Sequence, residues 1–199
     1  MPRRSDAKER LVEAAREVVY RQGWSATTLA HVAEQAQIPL GNLYYHFRSK
    51  DALASAVIGS RRADLDAMVE TCEEHDDPVD RLVAFLDGSI SMRDDVARSG
   101  CPYATLAGEL EKTEGTLAAE AGALVGMQVD WATEQFKAMG KGRRSRALAL
   151  ELIAGAQGAS VLTHALGDAT IMRTRLRALQ RWVREQVSSP ARRVANRVR

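Results

Sequence analysis

Between Pro39 and Lys50 the chain reads PLGNLYYHFRSK, and most of those side chains carry chemistry suited to a nucleic-acid surface. An Asn42 amide can pair bidentately with an adenine edge. Tyr44, Tyr45 and His46 can reach phosphate oxygens or lay a ring on a thymine methyl, and Gly41 lets the backbone approach a sugar-phosphate chain closely. Leu43 and Phe47, one helical turn apart, would point inward and leave the others on or near the outer face. Ser49 reads as the cap of a following helix, where Lys50 and a row of exposed N–H groups together make a phosphate anchor.

Such side chains need a scaffold, and the preceding residues supply one. Leu29, Val32, Ala33 and Ala36 recur at the spacing of one helical face, with Thr27 or Thr28 as N-cap. Gln37-Ile38 makes a tight turn, and Pro39 sets φ for the first turn of the next helix, where its missing N–H costs nothing. Before that, Asp6 and Glu9 read as a capping-box start. Leu11, Ala14, Ala15, Val18 and Val19 form an apolar stripe that ends at Gly23, with Trp24 closing the small core. Three helices with a helix-turn-helix are the expected first domain, residues 1–50.

The run GNLYYHFRSKDAL, preceded by TTLAHVAEQA and by a first helix ending QGW, resembles the tetracycline-repressor (TetR) family of bacterial transcription regulators over roughly the first fifty-five residues. The resemblance implies a three-helix DNA-binding domain, a larger helical ligand-binding and dimerisation domain, and release from a DNA operator when a small molecule binds. Carried over by position, Thr28, Gly41, Asn42, Tyr44, Tyr45, His46 and Lys50 fall where that family touches DNA. Gln37 departs from the pattern, standing where the family usually has Gly; if the turn needs φ > 0, a non-Gly residue costs about 1 kcal/mol there. Arg3 and Arg4, ahead of the first helix, are either a basic arm for an adjacent minor groove or a charged, frayed terminus.

The whole chain sets bounds. Its 199 residues, 45% hydrophobic and 27% charged, have an ordinary globular composition, and the five prolines leave room for helices nearly throughout. With no eighteen-residue apolar run and no apolar leader, the expected location is the cytoplasm, with no membrane partner. Cys72 and Cys101 lack disulfide-framework or metal spacing, and no cofactor is implied. The net charge of +2 conceals an asymmetry: +4 over residues 1–62, −11 over 63–142 and +9 over 143–199. A basic head suits a polyanion, which the acidic middle would repel, so DNA belongs at the N-terminal end.

The remainder, residues 51–187, reads as a second helical domain, for an all-α chain of about nine helices. A long helix from about Lys50 to Glu74 spans both halves. Glu73, Glu74, Asp76 and Asp77 flank His75 but read as a solvated loop before an Asp77-Pro78 helix start. Arg93 to Gly100 reads as a polar loop, and Gly100-Cys101-Pro102 as the opening of a helix. A thiol at such an end sits near unpaired N–H groups that favour the thiolate, whereas Pro102 removes one donor. The segment GCPYATLAGEL resembles a TetR branch that includes cysteine-based electrophile and oxidant sensors, which makes Cys101 either a sensor or a packing residue.

Phe85, Tyr103, Met127, Trp131 and Phe136 cluster in this half and suggest an apolar effector pocket, with Cys101 and His164 as further candidates for its wall. The segment from about Arg146 to Leu166 is apolar almost all round and rich in small residues, and the next helix carries a stripe through Leu176, Leu179, Trp182 and Val183. Gly155, Ala159, Leu162, Leu176, Leu179, Trp182 and Val183 are therefore the expected interface of a homodimer. Residues 188–199 read as a basic, disordered tail. The functional expectation is a dimeric repressor that binds a palindromic double-stranded DNA operator and is released by a small apolar or aromatic effector. The alternatives are a regulator whose signal is oxidation or alkylation of Cys101, a ligand-independent architectural DNA-binding protein, and an enzyme with Cys101 as nucleophile and His164 as base. The last lacks any nameable orienting residue or oxyanion hole.

Overall fold

Leu11, Ala14, Ala15, Val18 and Val19 line the buried side of α1 (Arg4–Gln22), as their spacing requires. The protein is described here by a computed structural model over residues 4–111 and 116–188; those residues form α-helices and one short 3-10 turn, with no strand among them. α1 starts at Arg4, two residues ahead of Asp6. That carboxylate therefore sits in the first turn, facing the positive end of the helix dipole rather than capping it. Arg3 and residues 189–199 of the expected tail lie outside the described residues, as does the side chain of Arg4.

α2 (Leu29–Ala36) begins at Thr28, whose hydroxyl accepts the His31 N–H at 3.2 Å. It ends at Gln37, which takes up φ 55 and ψ 43 and is the one non-glycine residue at positive φ among the described residues. The left-handed residue lets the Ile38 N–H return to the Ala33 carbonyl at 2.9 Å and carries Ile38 into the core. Pro39 caps α3 (Leu40–His46) from just outside, one position earlier than its sequence suggests. Ser49 caps α4 (Lys50–Glu73), accepting the Ala52 N–H at 3.1 Å. α4 packs on α1 at one end and on the second half of the chain at the other.

That half comprises α5 (Pro78–Ser91), α6 (Arg93–Ser99), α7 (Ala104–Leu110), α8 (Leu117–Ala138), α9 (Ser145–Leu166) and α10 (Ala169–Ser188). Asp77 caps α5 by accepting the Val79 N–H at 2.7 Å, with Pro78 at the first turn. The expected polar loop from Arg93 to Gly100 is instead a helix, α6. Its acidic first turn (Asp94, Asp95) suits the helix dipole, Arg98 pairs with Asp95 one turn on, and buried Val96 anchors it. α9 lies between α8 and α10, and α10 also packs on α5, so one layer of long helices backs the shorter ones.

Burial also corrects the expected interface set. Ala159, Leu176 and Val183 face the chain's own core, at 3%, 0% and 0% exposure. Gly155 serves internal packing as well, since a Cβ there would lie 3.1 Å from Leu179 Cδ2. Trp182 meets Phe136 edge-on at 6.0 Å between ring centres. One chain thus satisfies more of the apolar surface of α9 and α10 than the pattern alone suggests. What it leaves uncovered is a stripe of α9 through Leu150, Val161, Leu162 and Leu166, each 49–68% exposed.

Candidate functional site

The short helix α3 is held from beneath by Leu43 and Phe47, at 0% and 3% exposure, so its other face is turned outward. On that face stand Gly41, Asn42, Tyr44 and Tyr45, the two tyrosines at 49% and 64% exposure; His46 is half-buried with its ring edge-on to Tyr45 at 5.2 Å. Nothing lies within 4 Å of the position a Cβ would take at Gly41, so its neighbourhood is open to an approaching backbone. Thr28 is exposed beside this face, and since its oxygen acts as acceptor in the cap, its O–H proton remains for a phosphate. Arg48, exposed just beyond α3, is a further cation on this side of the fold. The sequence reading passed over it, although a basic residue immediately after a recognition-type helix was signal enough.

Lys50 is placed differently from the expectation of a free phosphate anchor. Its ammonium donates to the Trp24 carbonyl at 2.7 Å and lies 4.5 Å above the Trp24 ring, and burial lowers its pKa. It ties the start of α4 to the turn after α1.

The second half encloses a cavity bounded by α4, α5, α6, α8, α9 and α10 and by the turn between α6 and α7, with about 40 Å³ open to the centre of a water-sized sphere. Of the expected effector residues, Phe85, Cys101 and Tyr103 line it. Met127, Trp131, Phe136 and His164 do not. Phe136 is fully buried against Trp182; Trp131 stacks on Phe85 at 5.2 Å and donates its indole N–H to Glu73 at 3.2 Å; His164 is exposed, with Nδ1 3.3 Å from the Ala97 carbonyl. In their place the wall takes Met68, Met92 and Met172 together with Gln128, Gln157 and Ser160. Polar residues inside apolar helices were the available signal for the last three.

Cys101 lies in the turn before α7 rather than opening that helix, which begins at Ala104. The residue before a proline is biased away from helical φ/ψ, so Pro102 delays the helix and removes the helix-end field expected at the thiol.

This same turn bridges the two halves. Gly100, at φ +79, offers its carbonyl to the Tyr20 hydroxyl of α1 at 2.8 Å, and Cys101, Pro102 and Tyr103 then line the cavity. Burial pushes the Tyr20 and Tyr103 hydroxyls up to about 12. From α7, the Glu109 carboxylate accepts the Trp24 N–H and, at 3.2 Å, the Ser25 N–H, beside Gly23 at φ +83. Arg16 of α1 reaches Ser60 and Asp64 of α4, and Arg61 stacks over Tyr20 at 5.5 Å. The cavity wall and the segment that leads into α2 are thus joined by two separate links, Tyr20 to Gly100 and Glu109 to Trp24 and Ser25.

Known proteins match the N-terminal part of the chain by sequence. The sequence model described as "Bacterial regulatory proteins, tetR family" matches residues 11–57. The HTH-type transcriptional regulator TtgR of Pseudomonas putida is 32% identical over 72 residues, covering 36% of this chain and 34% of the relative. The HTH-type transcriptional regulator LmrA of Bacillus subtilis is 29% identical over 109 residues, covering 52% and 57%. These matches span between about a third and somewhat over half of the curated relatives. Over nearly the whole chain the fold is similar to a TetR-family regulator from Agrobacterium tumefaciens, with a TM-score of 0.81 at 23% identity over 89% of this chain and 97% of that one. A TetR transcriptional regulator from Legionella pneumophila has a TM-score of 0.79 at 17% identity, over 94% and 98%.

Proposed function

We propose that this chain, whose residues 11–57 match the sequence model of the tetR family of bacterial regulatory proteins, is a homodimeric transcriptional repressor that leaves its operator when a small uncharged molecule enters the cavity of the second half. The observation that carries this reading is the turn from Gly100 to Tyr103, which forms part of the cavity wall while holding α1 through Tyr20.

The interface to DNA is the outer face of α3, read by Asn42, Tyr44 and Tyr45, with Gly41 in close approach and Thr28, His46 and Arg48 on phosphates. Lys50 acts indirectly by fixing the turn at Trp24. Two such helices must stand about 34–36 Å apart to enter successive major grooves of a palindromic site. The uncovered stripe of α9 is the natural surface for the second copy, because an apolar face left exposed by one chain is covered by self-association. Domains 1–50 and 51–187 then act as reader and sensor, with α4 and the Gly100–Tyr103 turn between them. A molecule that binds better when this turn is displaced draws the population toward dimers whose α3 helices are wrongly spaced; one that binds both arrangements equally changes nothing.

The test is fluorescence anisotropy with labelled DNA from immediately upstream of the coding region, over a salt series, followed by addition of small neutral compounds and, separately, of an electrophile or oxidant. Sequence-specific, salt-dependent binding that a neutral compound reverses supports the proposal. Release by the electrophile alone, abolished in Cys101→Ser, moves the signal to the thiol. Weak binding without sequence preference, and no stabilisation by any compound, would return the architectural alternative.

A further inference from the structure

Among the groups that line the cavity, two amides stand apart. Gln128 of α8 is 4% exposed, and its Nε2 has no hydrogen-bond partner within the described residues; the Oε1 of Gln157, on α9, is likewise buried and unpaired. The two side chains touch each other through Gln157 Nε2 and Gln128 Oε1 at 3.5 Å, too long for a strong bond. The pair is therefore left with one unpaired donor atom and one unpaired acceptor atom. Exchanging O and N in both amides swaps which residue carries the donor but leaves one of each. The hydroxyl protons of Ser89 and Ser160 are spent on the carbonyls of Phe85 and Ala156 and so do not serve the unpaired amide oxygen. Among the described residues, no charged side chain lines the cavity.

A buried amide atom without a partner loses the free energy of its hydration, so a structure that keeps two of them on residues lining one cavity favours a guest that pairs with both. We infer that the effector of this cavity is a small neutral molecule carrying an adjacent hydrogen-bond donor and acceptor on a compact apolar ring, as in a lactam or other cis-amide. This rests on the reading of the cavity as the effector site. At about 40 Å³ the cavity is smaller than such a ring, which enters as the flexible side chains of the wall move aside. Anions and cations are disfavoured, because nothing in the wall neutralises them. The flexible thioethers of Met68, Met92 and Met172 adapt the apolar side to the ring.

The probes are δ-valerolactam, cyclohexanone and toluene, rings of one size offering donor plus acceptor, acceptor only, and neither. Titration calorimetry and thermal shift of the full chain should rank the lactam about tenfold tighter than either of the others, the difference one well-placed hydrogen bond makes. In Gln128→Leu and Gln157→Leu the lactam should lose that lead. The ligand-free melting temperature of Gln128→Leu should hold or rise, because an unpaired buried amide has been removed; a purely structural glutamine would show a fall. Equal affinity for the three rings in the wild-type protein, or no binding of any, overturns the inference, as does a lactam preference that survives both substitutions. Specific operator binding released by some other compound, with no lactam preference, refutes this inference alone. Lactam binding by a protein with no operator would instead refute the regulator reading.

Discussion

Replacing Glu109 with alanine removes the clasp between α7 and the turn after α1, and its cost follows from what is left behind. The carboxylate accepts two backbone N–H groups, from Trp24 and Ser25. Hydrogen bonds to a charged acceptor contribute about 1.5–3 kcal/mol each when shielded. Ser25 is exposed, so water substitutes for its partner at little cost, whereas Trp24 is buried and its N–H bears most of the loss. The expected loss is therefore about 2–3 kcal/mol, which for a chain of this length lowers Tm by roughly 5–10 °C. The assays are a thermal melt and amide hydrogen exchange, with the Trp24 and Ser25 amides exchanging faster. Gly23→Ala attacks the same clasp from the other side. Its Cβ would stand 2.9 Å from both carboxylate oxygens at a φ of +83, which an L-residue adopts at a cost of about 1–2 kcal/mol. Because both changes break one contact, the double variant should lose less than the sum of the singles. If Glu109→Ala melts within a degree of wild type with unchanged exchange at Trp24, the clasp contributes nothing and the route from cavity to α2 must run through Tyr20 and α4 alone.

Four further outcomes follow from the same geometry. Tyr45→Ala should weaken operator binding by about 1–3 kcal/mol, measured by anisotropy; unchanged affinity removes the ring from the interface. Val161→Glu combined with Leu162→Glu, on the uncovered face of α9, should convert a dimer to a monomer in sedimentation while leaving helix content intact, and a persistent dimer would move the interface elsewhere. Phe136→Ala should cost about 3–5 kcal/mol in urea unfolding, since its ring is fully buried against Trp182; a loss under about 1 kcal/mol contradicts that placement. Tyr20 and Tyr103, raised from 10.0 to about 12 mainly by burial, hold protons in the folded state that the unfolded chain releases. Their contribution is complete below about pH 10 and is lost as pH rises through 12, so melts across that range should steepen in wild type and flatten in Tyr20→Phe and Tyr103→Phe. Identical profiles in all three proteins would refute the assignment.

The N-terminal helices were legible because their determinants are local. A cap at Thr28, a left-handed turn, Pro39, and inward Leu43 and Phe47 fix α2 and α3 through neighbours in the chain, so the outward set from Gly41 to Tyr45 follows from periodicity alone. Gln37 fits this logic: the turn demands positive φ, and the surrounding core holds a non-glycine residue there. The second half was legible only as helices. Composition indicated apolar faces in α8, α9 and α10, but an apolar residue reads the same whether it meets its own chain, a second copy or a guest. The long-range packing of those helices decided that Ala159, Leu176 and Val183 close the core, that Phe136 sits behind the cavity, and that Leu162 stays outside. It also brought Gln128 and Gln157, twenty-nine positions apart, into one polar pair, and set Glu109 against Trp24 and Ser25 across eighty-five and eighty-four positions. Backbone preference, capping and turn chemistry act over a few residues and are written in the sequence. Contacts of that separation exist only once the helices have docked, and the tertiary structure alone assigns them.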